Sequence, residues 1–218
     1  MALAIFDLDN TLLAGDSDHA WGAFLVRQGV VDTAEYQRAN DYFYSRYQAG
    51  TLDIHEYVAF VVKPLQAMGP KQSDALRQHF LDTVISGMIA PGAKALLDKH
   101  RQQGDRLLII TATIDFITAP IAAELGVDDL LATVPERDAN GNFTGRIDGT
   151  PAFQAGKITR LHNWLADQAL SFDRQWFYSD SHNDLHLLEQ VTDPVAVDPD
   201  DTLLTTAEAR SWPVLSLR

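Results

Sequence analysis

Two aspartates follow the first apolar run of the chain at a spacing that suits metal binding and acid–base chemistry. Asp7 and Asp9 come directly after Leu3-Ala4-Ile5-Phe6, and the two-residue period of a strand turns both carboxylates to the same side of its end. Carboxylates that lie about 4 Å apart repel by on the order of 4 kcal/mol at an effective dielectric constant of about 20. A bound cation removes this repulsion, and oxygen ligands suit Mg²⁺ best among the common metals.

Further polar residues occupy matching places later in the chain. Thr111 ends a second apolar run, Lys157 opens a helical pattern, and Asp180 ends another apolar run, with Asp184 shortly after it. Each has a simpler interpretation when taken alone, such as a β-branched strand residue, a solvated helix lysine or an acidic residue in a helix's first turn. An isolated Asp-x-Asp pair is likewise more often two turn or capping residues. The ordered set as a whole predicts a phosphate site with a metal ion.

The elements that must position these residues alternate between strands and helices. Short apolar runs predict inner parallel strands at residues 3–6, 106–111, 130–134, 175–179 and 194–198. Helical periodicity predicts four helices. One begins near residue 91, one ends at Leu125 before a Gly126 cap, one covers about 156–167 and one starts near 183. We therefore expect an α/β fold, a doubly wound, Rossmann-like parallel sheet that binds ligands at the carboxyl ends of its strands.

Two segments interrupt this alternation. Between Asp16 and Ile89 only helical periodicity is present. It predicts an inserted α-helical cap subdomain over residues 16–89 and a core domain made of residues 1–15 and 90–218. Between residues 134 and 147, Asn140-Gly141 predicts the turn of a β-hairpin.

Composition limits the partners and the compartment. The formal net charge of −13 argues against nucleic acid and anionic membrane surfaces as partners, because like charges repel. The chain has no cysteine, which excludes disulfides, thiolate metal sites and a cysteine nucleophile and leaves the cytoplasm favoured. The apolar stretch from Met1 to Phe6 is too short for a membrane span, and it lacks the basic residues that precede the apolar region of a signal peptide.

The motifs, in this order, resemble those of the haloacid dehalogenase superfamily. Its Asp-x-Asp-x-Thr motif matches residues 7–11, its Ser or Thr after an apolar strand matches Thr111, and its Lys matches Lys157. Its Gly-Asp-x-x-x-Asp motif matches residues 179–184, with Ser179 in place of Gly. The resemblance covers nearly the whole chain, and the helical insertion between the first two motifs is similar to the branch that includes phosphoserine phosphatases.

This resemblance implies a Mg²⁺-dependent phosphatase in which Asp7 attacks phosphorus and Asp9 serves first as general acid and then as general base. Mg²⁺ would be held by the Asp7 carboxylate, the Asp9 main-chain carbonyl and Asp180, with Asp184 acting through water. The groups that would hold the phosphoryl oxygens are Thr111, Lys157 and main-chain N–H groups near Leu8 and Ala112.

The inserted cap should select the leaving group of the substrate. Asp16 stands where the resembling phosphoserine phosphatases carry an acidic residue that meets the substrate amine, although a solvated loop aspartate is an equal explanation. An aromatic and basic cluster follows, which is either a cap lining or an ordinary helix face: Arg38, Asp41, Tyr42, Phe43, Tyr44, Arg46 and Tyr47. Rings that line the cap would suit a cyclic leaving group. The resembling branch also includes bacterial histidinol-phosphate phosphatases, and this resemblance implies histidinol phosphate as the expected substrate, with phosphoserine as the alternative.

Other interpretations compete with this one. A non-catalytic scaffold of the same fold would use its cap to bind a partner, but the intact motif residues argue against it. A receiver domain also phosphorylates an aspartate, yet it lacks a helical insertion and the acid two residues after the nucleophile. His182 and His186 have a spacing that zinc sites use, but no metalloprotease motif surrounds them.

Overall fold

A computed structural model describes residues 2–168 and 171–218. The strands are β1 (Leu3–Phe6), β2 (Arg106–Ile114), β3 (Asp129–Thr133), β4 (Pro135–Arg137), β5 (Phe143–Ile147), β6 (Gln175–Ser179), β7 (Asp193–Val197) and β8 (Val214–Leu215). The α-helices are α1 (Ser17–Arg27), α2 (Thr33–Gln48), α3 (Ile54–Met68), α4 (Pro70–Thr83), α5 (Ala93–Gln102), α6 (Asp115–Leu125), α7 (Ala155–Asp167), α8 (Leu185–Leu188) and α9 (Asp201–Arg210). Short helical turns lie at Leu8–Leu12, Ile85–Gly87 and His182–Asp184. None of the helices described is long and apolar enough to cross a membrane.

Six of the described strands form one parallel sheet in the order β3-β2-β1-β6-β7-β8. β1 lies between β2 and β6, and all four of its side chains are fully buried. Because strand side chains alternate between faces, Ala4 and Phe6 pack in one apolar cluster and Leu3 and Ile5 in another. Residues of α5 and α6 join the first cluster and residues of α7, α8 and α9 join the second. The predicted doubly wound α/β fold is confirmed.

The predicted end of the second strand at Thr111 was wrong. β2 continues to Ile114, and its pairing with β3 shifts register between Thr111 and Ile114. Two threonines interrupt the apolar run there, although β-branched threonine favours strands. The strands near residues 130 and 194 each lie one residue earlier than predicted, and the two-residue edge strand β8 was missed. The predicted hairpin is present as the antiparallel pair of β4 and β5.

Helices α1 to α4 occupy the inserted segment, by which we mean residues 16–89. Leu13 and Ile89 form an antiparallel bridge where the chain leaves and rejoins the sheet. Beside it, the main-chain N–H of Ala90 donates to the Leu12 carbonyl at 2.9 Å. This bridge lies next to the boundaries expected from the sequence, whose division into a core domain and a cap subdomain stays a prediction.

Helix α6 contains a proline, and the inserted segment compensates for it. Pro120 lies inside the helix and cannot donate to the carbonyl of Phe116, four residues earlier. Arg77 of α4 donates to that carbonyl at 3.0 Å, and its guanidinium lies 4.6 Å from the centroid of the Phe116 ring. A side chain of the inserted segment therefore supplies the hydrogen bond that the proline removes.

Candidate active site

Asp7 and Asp180 lie at the carboxyl ends of neighbouring strands. Asp7 follows β1, and its main-chain N–H donates to the Tyr178 carbonyl of β6 at 2.9 Å. Asp180 follows β6, and its Oδ1 accepts a hydrogen bond of 3.2 Å from Thr11 Oγ1. The turn between Asp7 and Thr11 places Asn10 in the left-handed region at φ 57°, which asparagine adopts more readily than most residues. The parallel register thus brings both carboxylates to one edge of the sheet.

Lys157 reaches the same edge from the first turn of α7. Its Nζ donates to Asp7 Oδ1 and to Asp184 Oδ2, each at 2.7 Å, and the residue is 2% exposed. Ser179 Oγ donates to the same Asp184 oxygen at 2.7 Å. Burial alone lowers the pKa of Lys157, but the Asp184 and Asp7 carboxylates raise it above its usual range. The ammonium group therefore stays charged and joins Asp7 directly to Asp184.

The Asp7 carboxylate is buried and only half satisfied. Its Oδ2 has no hydrogen-bond partner among the described residues. Burial raises the pKa of Asp7 to about 7, while Lys157 opposes the rise and Asp184 adds to it. Burial also raises the pKa of Asp180 well above its usual range, and Asp7 and Asp184 add to that rise. A cation beside these carboxylates would favour their charged forms.

Both carboxylate oxygens of Asp9 accept hydrogen bonds. The Ser17 N–H donates to Oδ1 at 2.6 Å and Thr113 Oγ1 donates to Oδ2 at 2.7 Å. Burial raises the pKa of Asp9 to about 7 and the Asp16 carboxylate adds to the rise, whereas the bonds from Ser17 and Thr113 lower it. Near neutral pH this side chain can therefore hold or release a proton.

The end of β2 completes the edge of the site. Thr111 is 1% exposed, and its Oγ1 accepts a hydrogen bond of 3.2 Å from the Thr113 N–H. Thr111, Ala112 and Thr113 line a cavity together with Asp7 and Asp9. A hydroxyl and two carboxylates therefore face the same space.

The inserted segment forms the other wall of this cavity. Its lining residues are Asp16, Asp18, His19, Asn40, Phe43, Tyr44, Tyr47, Leu52, Ile54 and Tyr57. Asp16 also caps α1 by accepting the His19 N–H at 2.7 Å. The aromatic and basic cluster divides between two faces of α2. Its members in the cavity are Phe43, Tyr44 and Tyr47, and its exposed members are Arg38, Asp41, Tyr42 and Arg46.

The carboxylates at the sheet edge fit a hard divalent cation. Asp7, Asp180 and the Asp9 carbonyl offer oxygen donors, and the unpartnered, buried Asp7 Oδ2 is an acceptor that a cation would satisfy. Within residues 2–168 and 171–218, no three His, Asp or Glu side chains converge as a metal site by themselves. The ligand set inferred from the motifs uses only two carboxylates and a carbonyl. His182 instead faces Asp200, with Nδ1 at 2.7 Å from Oδ2.

Several residues in contact with the site were absent from the sequence-based prediction, among them Ser17, Thr113 and Asp18. Ser17 and Thr113 hold Asp9, and Asp18 lines the cavity. Two signals could have found Thr113 and Asp18. Thr113 follows Thr111 at the two-residue period of a strand. Asp18 follows Asp16 at the same spacing that separates Asp7 from Asp9.

Known proteins are similar to this chain in sequence and in fold. The chain matches the haloacid dehalogenase-like hydrolase family over residues 4–189. It is 41% identical over 219 residues to a histidinol-phosphatase of Neisseria meningitidis serogroup C (strain 8013), covering 99% of each protein. It is 30% identical over 232 residues to a phosphoserine phosphatase of Mycobacterium tuberculosis, covering 100% of this chain and 71% of that relative. The crystal structure of a protein with unknown function from Bordetella pertussis Tohama I matches with a TM-score of 0.93 at 42% identity, covering 100% of this chain and 99% of that one. The chain therefore belongs to the haloacid dehalogenase-like hydrolases, in the phosphoserine phosphatase-like branch, and is a phosphatase of that family.

Proposed function

We propose that this protein hydrolyses a small phosphate monoester through an aspartyl-phosphate formed on Asp7, with Mg²⁺ as cofactor. The observation that carries the proposal is that Asp7 and Asp180 follow two neighbouring strands and that Lys157 of α7 donates to Asp7 at 2.7 Å. Asp9 lines the same cavity as Asp7. A nucleophile, a fixed positive charge and a second carboxylate that can carry a proton are the parts that phosphoryl transfer to an aspartate needs.

In the first half-reaction, a carboxylate oxygen of Asp7 bonds to phosphorus and the bond from phosphorus to the leaving-group oxygen breaks. Asp9 donates its proton to that oxygen, so the product leaves as a neutral alcohol. Burial that raises the pKa of Asp9 to about 7 keeps this proton available near neutral pH. The Asp9 side chain then remains as a carboxylate.

In the second half-reaction, Asp9 takes a proton from water and the water oxygen bonds to phosphorus. The bond between phosphorus and Asp7 breaks, which releases inorganic phosphate and restores both aspartates to their starting forms. The hydrogen bonds from Ser17 and Thr113 keep Asp9 in one orientation for both proton transfers.

The charge of the phosphoryl group requires positive and N–H groups around it. Lys157, the Thr111 hydroxyl and main-chain N–H groups near Leu8 and Ala112 would hold its oxygens. Mg²⁺, held by Asp7, Asp180 and the Asp9 carbonyl with Asp184 nearby, would neutralise the charge that develops on these oxygens.

We propose histidinol phosphate as the substrate. The 41% identity over 99% of both chains to a protein named histidinol-phosphatase supports this choice. The rings of Phe43, Tyr44 and Tyr47 beside the site also suit a cyclic leaving group. Phosphoserine is the second candidate, because a relative at 30% identity is named a phosphoserine phosphatase. A cytoplasmic location stays a prediction, and the charge of −13 makes nucleic acid an unfavourable partner.

Hydrolysis of p-nitrophenyl phosphate with and without EDTA tests the reaction class. We expect activity that EDTA removes and Mg²⁺ restores, whereas a non-catalytic scaffold gives no metal-dependent signal. Asp7→Asn should abolish turnover, and Asp9→Asn should lower kcat by about 10²–10⁴-fold. Asp167→Asn, an exposed change on the helix that carries Lys157, is the matched control. Activity of the Asp7→Asn protein near that of the parent would refute the mechanism.

A comparison of L-histidinol phosphate with L-phosphoserine tests the substrate. We expect a higher kcat/KM for L-histidinol phosphate. Negligible hydrolysis of this ester beside brisk hydrolysis of L-phosphoserine would reverse the assignment and leave the mechanism intact.

A further inference from the structure

Asp18 is a buried carboxylate that the proposed mechanism does not use. It lies in the first turn of α1, is 6% exposed and lines the cavity. Its Oδ1 is buried and has no hydrogen-bond partner among the described residues. The start of α1 does not require this carboxylate as a cap, because Asp16 already accepts the His19 N–H at 2.7 Å. A buried carboxylate oxygen without a partner is unfavourable, so a positively charged hydrogen-bond donor of a ligand is its chemical complement.

The charges around Asp18 favour a cationic group. Among the described residues, the cavity lining includes four aspartates and neither lysine nor arginine. The ring of His19 in the lining is engaged by Asp41, with Nε2 at 2.9 Å from Oδ1. The ammonium group of Lys157 is engaged by Asp7 and Asp184 at the other end of the site. No cation in the described part of the lining therefore neutralises Asp18.

Asp16 and Asp18 differ in the charges that act on them. Burial raises the pKa of Asp16 to about 6, and the Asp7 carboxylate adds to the rise. Burial raises the pKa of Asp18 well above its usual range, and Asp16 and Asp9 add to that rise, whereas the Tyr57 and Thr113 hydroxyls lower it. Burial also raises the pKa of Tyr57 in α3, and Asp18 and then Asp16 add to that rise. The Asp7 charge thus acts on Asp16, and Asp18 has a larger effect on Tyr57 than Asp16 has.

We propose that Asp18 binds the imidazole ring of the leaving group through a ring nitrogen, holding the ring as an imidazolium while the phosphate lies at Asp7. The inference rests on the proposed function, because it takes histidinol phosphate as the substrate. Histidinol phosphate carries an ammonium group close to its phosphate and an imidazole farther away. Asp16, which stands where the resembling phosphatases carry the residue that meets the substrate amine, would take the ammonium group, which leaves the imidazole to Asp18. A site built to bond a ring N–H rejects a ring of similar shape without one, since the buried acceptor is then left unpaired.

The test compares L-histidinol phosphate with L-phenylalaninol phosphate, which keeps the ammonium and phosphate groups and has a ring without nitrogen. The quantity measured is the ratio of kcat/KM for the first ester to that for the second. In the parent we expect this ratio to favour L-histidinol phosphate strongly. Asp18→Asn should lower the ratio by about 10–100-fold, the usual effect of losing a charge-assisted hydrogen bond.

Asp16→Asn is the matched control variant, because asparagine also caps helices and both esters carry the ammonium group. It should change kcat/KM for the two esters alike and move their ratio by less than about threefold. A second measurement uses the unmodified protein and does not depend on the folding of a variant. L-histidinol should inhibit p-nitrophenyl phosphate hydrolysis at a concentration at least about tenfold lower than L-phenylalaninol does.

The outcomes separate this inference from the function on which it rests. If both esters are hydrolysed and Asp18→Asn leaves their ratio at the parent value, the inference is wrong and the substrate assignment stands. Equal inhibition by the two amino alcohols would overturn it in the same way. If p-nitrophenyl phosphate is hydrolysed with Mg²⁺ and L-histidinol phosphate is not, both the substrate and the role of Asp18 are wrong, but the aspartyl-phosphate mechanism survives.

Discussion

Thr113 Oγ1 donates a hydrogen bond of 2.7 Å to Asp9 Oδ2, which joins the proposed general acid to the end of β2. The Ser17 N–H binds the other oxygen at 2.6 Å. A carboxylate bound at both oxygens has one orientation, and proton transfer depends on that orientation. Thr113 is therefore a positioning residue for Asp9 in the proposed mechanism.

Thr113→Val should lower kcat by about tenfold, because Asp9 loses one of the two hydrogen bonds that fix its orientation. The hydrogen bond from Thr113 lowers the pKa of Asp9, so its removal raises that pKa above about 7. Asp9 then stays protonated to higher pH, and the alkaline limb of the kcat/KM profile should move upward in pH. Thr113→Ser keeps the hydroxyl and should retain the parent profile. A Thr113→Val protein with the parent's kcat and pH profile would contradict this role.

Mg²⁺ should stabilise the fold more at pH 8 than at pH 5. The pKa of Asp7 rises from 3.8 to about 7 on burial, so its contribution to folding is fully present below pH 3.8 and is lost as pH rises through about 7. Mg²⁺ binds the deprotonated carboxylates, and its stabilisation therefore grows over the same range. At about 100 times Kd we expect a rise in Tm of roughly 5–10 °C at pH 8.

Thermal unfolding at the two pH values, with Mg²⁺ or with EDTA, measures this difference. Asp180→Asn removes one proposed ligand and should lose most of the gain at pH 8. An equal change in Tm at both pH values would show that the buried carboxylates do not bind the ion.

Arg77 should matter for stability because of Pro120. Arg77→Met leaves the Phe116 carbonyl without the bond that the proline cannot supply, and should lower the free energy of unfolding by about 1–3 kcal/mol. In a Pro120→Ala background the helix regains that N–H, so the same substitution should cost less. Urea unfolding of the four proteins gives the coupling free energy between the two positions. Equal costs in both backgrounds would show that Arg77 acts by other contacts.

The end of α2 should depend on two side chains outside the inserted segment. Gln154 Nε2 donates to the Gly50 carbonyl and to Asn183 Oδ1, each at 3.1 Å, and Asn183 Nδ2 donates to the Tyr47 carbonyl at 3.0 Å. Each such bond contributes about 1 kcal/mol. Asn183→Ala should therefore speed amide hydrogen exchange near residues 47–51 by about fivefold or more and raise KM.

Asp167→Asn, on an exposed position of α7, is the control for this change and should leave the exchange rates unchanged. Faster exchange across the whole protein, rather than near the end of α2, would indicate general destabilisation and not the loss of a local contact.

The sequence by itself determined the class of fold and the residues at the edge of the sheet. A buried parallel strand reads as a short apolar run, and the polar residue that follows it lies at the carboxyl end. Asp7, Thr111 and Asp180 could be placed at one edge on this ground. The order of the motifs with Lys157 then indicated the family, because four weak signals in the right order are far more specific than any one of them.

Only the tertiary structure decided which residues of the inserted segment face that edge. Helical spacing identifies a face but not the element that it packs against, so it could not separate Tyr44 and Tyr47 from the exposed Tyr42. Likewise, the importance of Thr113 and Asp18 depends on where β2 and α1 lie relative to Asp9 and to the cavity. These relations join residues far apart in the chain through packing, and local sequence patterns carry no information about such contacts.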